Sequence, residues 1–100
     1  MTKAEKDFHS DVRELGCIVC LLHLHVHSEC DVHHILSGTK RKGEMFVLGL
    51  CPSHHRSELN NAVVVSRHHW KAEFERRYGT EAQLLERTQA LVADRRRMAA

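Results

Sequence analysis

A chain of 100 residues with 15 Lys and Arg against 13 Asp and Glu has room for one compact domain and carries a formal charge of only +2. So small a balance says little about a polyanionic partner; where the basic side chains cluster matters more. No apolar run approaches the roughly 18 residues needed to cross a bilayer, and no N-terminal stretch reads as a secretory signal, so a soluble, cytosolic protein without membrane contact is expected. In that compartment thiols stay reduced, and the four cysteines, two of them in a CxxC, read as metal ligands rather than as disulfides.

Thr2 and Glu5 form a capping-box pattern at the start of a helix that ends near Gly16. From Leu21 to His27, Leu22, Leu24 and Val26 alternate with His23, His25 and His27, the period of a half-buried strand with a polar histidine face. A second short strand is expected at Asp31 to Ile35. The stretch from Ser37 to Glu44 holds two glycines and Lys40, Arg41 and Lys42, and reads as an exposed basic loop. Met45 to Leu50 returns to the interior. Pro52 suits the first turn of a short helix reaching about Asn60, because the amide it lacks would be unpaired there. Ser66 is placed to cap a helix ending before Gly79, and Thr80 with Gln83 repeats the capping box for a last helix running to Arg95, Arg96 and Arg97. The terminal arginines also suit a helix C-terminus on dipole grounds.

The strongest local signal is Cys17-x-x-Cys20 followed by Cys51-x-x-His54. Two ligands two residues apart on a tight knuckle reach one tetrahedral ion, and two such halves close the coordination sphere with no position left for substrate. A structural zinc is the expectation, with secondary structure filling the long interval between the halves. Cys30 is left over as a buried free thiol. Within the interval lies Asp31-Val32-His33-His34-Ile35, and His55 directly follows the second knuckle. A zinc that pins the Pro52 helix beside the strands turns His55 toward His33, and two imidazoles there share a second divalent ion with open positions. Neighbours on a strand face opposite ways, which leaves His34 for a different role. A neutral imidazole is well matched to taking a proton from water near pH 7, so the constellation reads as hydrolytic, and Asp31 is placed to orient one of the rings.

Cys17-Ile-Val-Cys20, Val32-His33-His34-Ile35, Leu50-Cys51-Pro52-Ser53-His54-His55-Arg56 and Phe74-Glu75-Arg76-Arg77-Tyr78-Gly79-Thr80-Glu81 together resemble the HNH, or ββα-metal, endonucleases, and most narrowly the phage recombination-enhancement (Ref) branch of RecA-dependent nucleases. The likeness spans roughly Cys17 to Leu85. It implies an α+β fold: a single HNH domain over 1–100, with a zinc-stabilised, treble-clef-like ββα-metal core and flanking N- and C-terminal helices. The core would occupy about 17–60 and the C-terminal helices about 66–97. The implied activity is metal-dependent hydrolysis of DNA phosphodiester bonds, with DNA and a RecA filament as partners in phage recombination, in the host cytoplasm. By the same resemblance Cys17, Cys20, Cys51 and His54 hold structural zinc, His33 and His55 hold a catalytic Mg²⁺, Mn²⁺ or Zn²⁺, and His34 is the general base. The middle HNH residue has no counterpart, because its stretch reads Phe46-Val47-Leu48-Gly49-Leu50. His68 is offered as a third ligand of the catalytic metal, with Asn60 and Asn61 as rivals. Lys40, Arg41, Lys42 and Arg56 are placed to hold backbone phosphates.

Two other classes fit the same residues. One is a zinc-stabilised nucleic-acid-binding module without chemistry, which has no need for His33, His34 and His55 to converge. The other is an interaction protein that docks a partner through Trp70, Phe74 and Tyr78 at i, i+4 and i+8.

Overall fold

The structure is a computed structural model that describes residues 1–99. Helix α1, Lys3–Leu15, starts where Thr2 Oγ1 accepts the Glu5 amide at 3.1 Å and Glu5 accepts the Thr2 amide at 2.8 Å, the reciprocal capping box. It ends at Gly16, whose φ of 78° lets its amide reach the carbonyls of Val12 and Arg13. Phe8, His9, Val12 and Leu15 form its buried face.

The expected strand at Leu21–His27 is replaced by a single π-helical turn, Cys20–Leu24, followed by His25 at φ 56°. The knuckle decides this: the Leu21 amide donates to the Cys17 carbonyl and the Val26 amide to that of Cys20, so the chain curls back instead of extending. The alternating histidines then serve helix ends. His23 Nε2 lies 3.2 Å from the carbonyl of Tyr78 and His27 Nε2 3.2 Å from that of Glu14, each in a last helical turn or at its end, where carbonyls lack partners.

Strand β1, Asp31–His34, pairs antiparallel with β4, Val47–Leu50, with Asp31 opposite Leu50 and His34 opposite Val47. Between them β2, Leu36–Ser37, and β3, Lys40–Arg41, form an exposed hairpin, so the basic loop carries its own small ladder. The return to the interior begins at Val47 rather than Met45, which stays exposed. All four residues of β4 are buried, and both α1 and the last helix pack against this strand, so its near-continuous apolar run covers two faces. At Gly49 the register brings backbones into contact: a Cβ there would meet the Gly16 carbonyl oxygen at 2.4 Å and Cys30 Sγ at 2.8 Å.

Helix α2, Pro52–His55, stops well before Asn60. Its final carbonyls, from His54 and His55, are taken by the amides of Arg67 and His68 at 2.8 and 3.0 Å, and the chain between them folds into a tight excursion. Asn61 Oδ1 accepts the amides of Val63 and Val64, both at 2.9 Å, and Asn60 pairs by its backbone with Val65. With the Arg67 and His68 amides spent on α2, Ser66 does not cap a helix. It is fully buried, its hydroxyl lacks a partner, and helix α3, Lys71–Tyr78, begins only after Trp70.

Thr80 and Gln83 do exchange capping-box bonds, at 3.1 and 2.9 Å, and start helix α4, Glu81–Ala99. The aromatic stripe is divided: Phe74 lies in the core and Tyr78 packs against it, whereas Trp70 turns its indole N–H to the Glu58 carbonyl at 2.9 Å. Arg95 and Arg96 pair with Glu14 and Asp11 of α1, and Arg97 with Asp94, so the terminal basic run is engaged within the molecule. The result is an α+β domain with one core gathered around β4, and among the described residues no helix is long and apolar enough to cross a membrane.

Gly49→Ala is expected to destabilise the protein by about 1–3 kcal/mol, because backbone rather than a flexible side chain must move, and urea denaturation checks it.

Candidate functional site

Cys17 and Cys20 leave the end of α1 on one knuckle, and Cys51 and His54 lie where β4 turns into α2; all four are buried and converge. The sulfurs of Cys20 and Cys51 are 3.8 Å apart, and His54 Nδ1 lies 3.8, 3.6 and 3.2 Å from Cys17, Cys20 and Cys51. Tetrahedral zinc bonds of about 2.3 Å to sulfur and about 2.0–2.1 Å to nitrogen place two sulfurs roughly 3.8 Å apart and a sulfur and a nitrogen roughly 3.6 Å apart. The spacing fits that ion, and a disulfide, with sulfurs about 2.05 Å apart, is excluded for Cys20 and Cys51. The Cys20 amide donates to Cys17 Sγ at 3.4 Å, as a metal-binding knuckle arranges it. Burial pushes the Cys17 and Cys51 thiols up and the His54 imidazole down, so a cation is what would favour thiolates in this pocket. Cys30 stands apart and is only half-buried, with its thiol 3.8 Å from the Val12 carbonyl.

Beside this cluster a cavity of about 350 Å³ is lined by Val32, His33, His34, Leu36, Arg41, His55, Arg67 and His68. The register of β1 delivers His33 and His34, α2 delivers His55, and the bond from the His68 amide to the His55 carbonyl holds His68 nearby. The rings of His33 and His55 meet edge to face with centroids 5.1 Å apart.

Each of three histidines donates to a carboxylate from a different part of the chain. His55 Nδ1 lies 3.1 Å from Asp31 Oδ2, which leaves Nε2 as a lone-pair donor. The His55 hydrogen bond, and then that of Arg56, hold the Asp31 carboxyl below its usual range, while burial pushes His55 down against the pull of Asp31. His33 Nε2 lies 2.5 Å from Glu81 Oε2, and Glu81 is only 4% exposed. Burial alone would raise the Glu81 carboxyl, but the His33 hydrogen bond and the Arg67 charge outweigh it and hold the group down. Arg67 Nε is in ionic contact with Glu81 at 3.3 Å but out of line for a hydrogen bond. His34 Nε2 lies 3.0 and 3.2 Å from the two carboxylate oxygens of Glu44.

Of the basic residues singled out in the sequence, Arg41 lines the cavity and Lys40 is exposed beside it in β3. Lys42 lies over the Phe46 ring at 5.0 Å, and Arg56 donates to Asp31 at 2.9 Å. His68 lines the cavity and also stands in an exposed group with Glu58 and His69. Asn60 and Asn61 shape the excursion after α2 and are not among the residues that line this cavity. Glu81, Glu44 and Arg67 escaped sequence reasoning. Glu81 reads as an ordinary first-turn acid, and Glu44 as the end of a loop, since nothing in local spacing ties either one to a histidine.

A family described as "Recombination enhancement, RecA-dependent nuclease" matches residues 1–93. The chain belongs to that family, and is thereby a nuclease of recombination enhancement. No curated protein matches the chain.

Metal analysis of protein purified without a histidine tag is expected to find at least one zinc per chain. Cys20→Ser should lose both the zinc and the cooperative thermal transition, and a folded wild type free of zinc would remove the centre.

Proposed function

We propose that this nuclease is an HNH, ββα-metal endonuclease that hydrolyses DNA phosphodiester bonds with a divalent metal and works with a RecA filament during phage recombination. The observation that carries the reading is the convergence of His33, His34 and His55 at one cavity wall where two antiparallel strands run into a short helix beside the Cys17, Cys20, Cys51 and His54 cluster. That succession, strand, strand and helix, supports the ββα reading of the sequence resemblance, and structural zinc on the four ligands would fix its register.

His33 and His55 would hold the catalytic ion, Mg²⁺, Mn²⁺ or Zn²⁺; His68 lines the same cavity but does not stand within ligand distance of both, so it would have to turn inward to serve as a third ligand. Each of the first two keeps one ring nitrogen free while the other is bonded to Glu81 or Asp31. When bound, such an ion supplies neutralisation of the phosphate and of the leaving oxygen. His34 donates through Nε2 to Glu44, so its Nδ1 is the nitrogen that takes the proton of the attacking water. Arg41 on the cavity wall, with Lys40 and Lys42 on the same hairpin and the turn after it, would hold the strand by its phosphates, contacts that confer affinity without reading bases. Arg56 would do so only by sharing Asp31, to which it is already bonded.

With Mg²⁺ or Mn²⁺ and RecA-coated DNA, the protein is expected to nick its substrate. His34→Ala should lower the cleavage rate by about 10²- to 10⁴-fold while zinc content and thermal stability stay at wild-type values. Full cleavage by that variant would refute the base, and a protein that binds DNA without ever cutting it would instead be a zinc-stabilised binding module.

A further inference from the structure

Glu44 bridges the N-terminal helix and the histidine pair, and its two ends are engaged separately. Its carboxylate oxygens lie 3.0 and 3.2 Å from His34 Nε2. Its main-chain carbonyl accepts from His9 Nε2 at 2.6 Å. His9 belongs to α1, far from the histidine motif in sequence, and is 3% exposed. Its ring stands edge-on to that of His34 with centroids 5.7 Å apart. Glu44 sits in the turn between β3 and β4, where the Phe46 amide donates to the Gly43 carbonyl at 3.2 Å. The flanks of this turn are tied to Ile35, whose amide donates to the Phe46 carbonyl at 2.9 Å and whose carbonyl accepts from the Lys42 amide at 3.0 Å, and the buried imidazole from α1 adds a hold on Glu44 itself.

An imidazole free to rotate presents either nitrogen to water, and one that exchanges tautomers holds the lone pair on the wrong side part of the time. A carboxylate gripping one N–H removes both freedoms and stabilises the imidazolium formed when the other nitrogen takes a proton. We infer that Glu44 is the positioning residue for His34: its carboxylate fixes the ring with the proton on Nε2 and the lone pair on Nδ1, while His9 clamps the Glu44 backbone and so makes α1 part of the cleavage machinery. The inference rests on the reading of His34 as general base. Ligand atoms of His9, His34 and Glu44 also lie within 4.8 Å of one another, as a metal site would require. Here, though, both Nε2 atoms already face Glu44 oxygens at hydrogen-bond distance, the arrangement of two donors on one residue.

The test compares Glu44→Gln and Glu44→Ala with wild type on RecA-coated DNA, in zinc-loaded protein with Mg²⁺. Glu44→Gln is close in size and leaves the backbone carbonyl for His9, so its loss of activity reports the carboxylate and not the fold. Both variants should show kcat lowered by about 10- to 100-fold, a part of what a general base contributes. KM for DNA, zinc content and unfolding temperature should be unchanged in Glu44→Gln. Nitrogen-15 NMR of histidine-labelled wild type should find His34 protonated at Nε2 and bare at Nδ1, and Glu44→Gln should shift that pattern toward a mixture of tautomers. Wild-type kcat in Glu44→Gln would overturn the inference, as would a loss confined to KM, or a His34 that carries its proton on Nδ1 or has Nε2 bound to metal. If His34→Ala cuts normally, the base assignment fails instead, and the NMR measurement still reads the Glu44–His34 bond on its own.

Discussion

Two knuckles far apart in sequence must bring Cys17, Cys20, Cys51 and His54 to one buried point, and the other elements are arranged around that demand. The first knuckle curls the chain after α1 and converts an alternating, strand-like pattern into a π-helical turn. The second fixes the exit of β4 and the direction of α2. Because β4 pairs with β1 in a single register, the same constraint also sets where the histidine pair stands relative to His55. Close approach of Gly49 to Gly16 is the steric signature of how tightly the two halves are drawn together.

Around the cavity, polar burial follows one rule: a histidine is held by an acid from elsewhere in the fold. Asp31 reaches across from β1 to α2, Glu81 comes from the start of α4, and Glu44 comes from the turn before β4. A buried carboxylate such as Glu81 would be costly alone, and it is tolerated because His33, Arg67 and Lys71 surround it with donors and positive charge. These pairs also leave one nitrogen of each ring free. The outer helices are thereby coupled to the cavity, α1 through His9 and α4 through Glu81, and the ion pairs of Arg95 and Arg96 with α1 tie those two helices together.

Local signals proved readable where the chemistry was local. The capping boxes of Thr2–Glu5 and Thr80–Gln83, the glycine after α1 and Pro52 at the start of α2 all involve atoms within a few residues of each other, and each element begins or ends where those residues require. Periodicity misled where a distant partner intervened. Leu21–His27 alternates like a strand, but His23 and His27 are spent on the carbonyls of Tyr78 and Glu14. Ser66 resembles a cap, yet the amides of Arg67 and His68 finish α2 and delay α3 to Lys71. The stripe of Trp70, Phe74 and Tyr78 has helical spacing, but Trp70 lies outside the helix and bonds to Glu58.

The sequence by itself determined the metal-type donors, the α+β character and the kinship with recombination nucleases, because knuckle spacing and short motifs are chemical statements made within a few residues. Only the tertiary structure decided which acid serves which histidine. Glu44 and His9 carry no local pattern that distinguishes them from surface residues, and Glu81, though it closes the Phe74–Glu81 segment, gives no local sign of a histidine partner; all three acquire their partners because β4 and the two flanking helices are packed against each other.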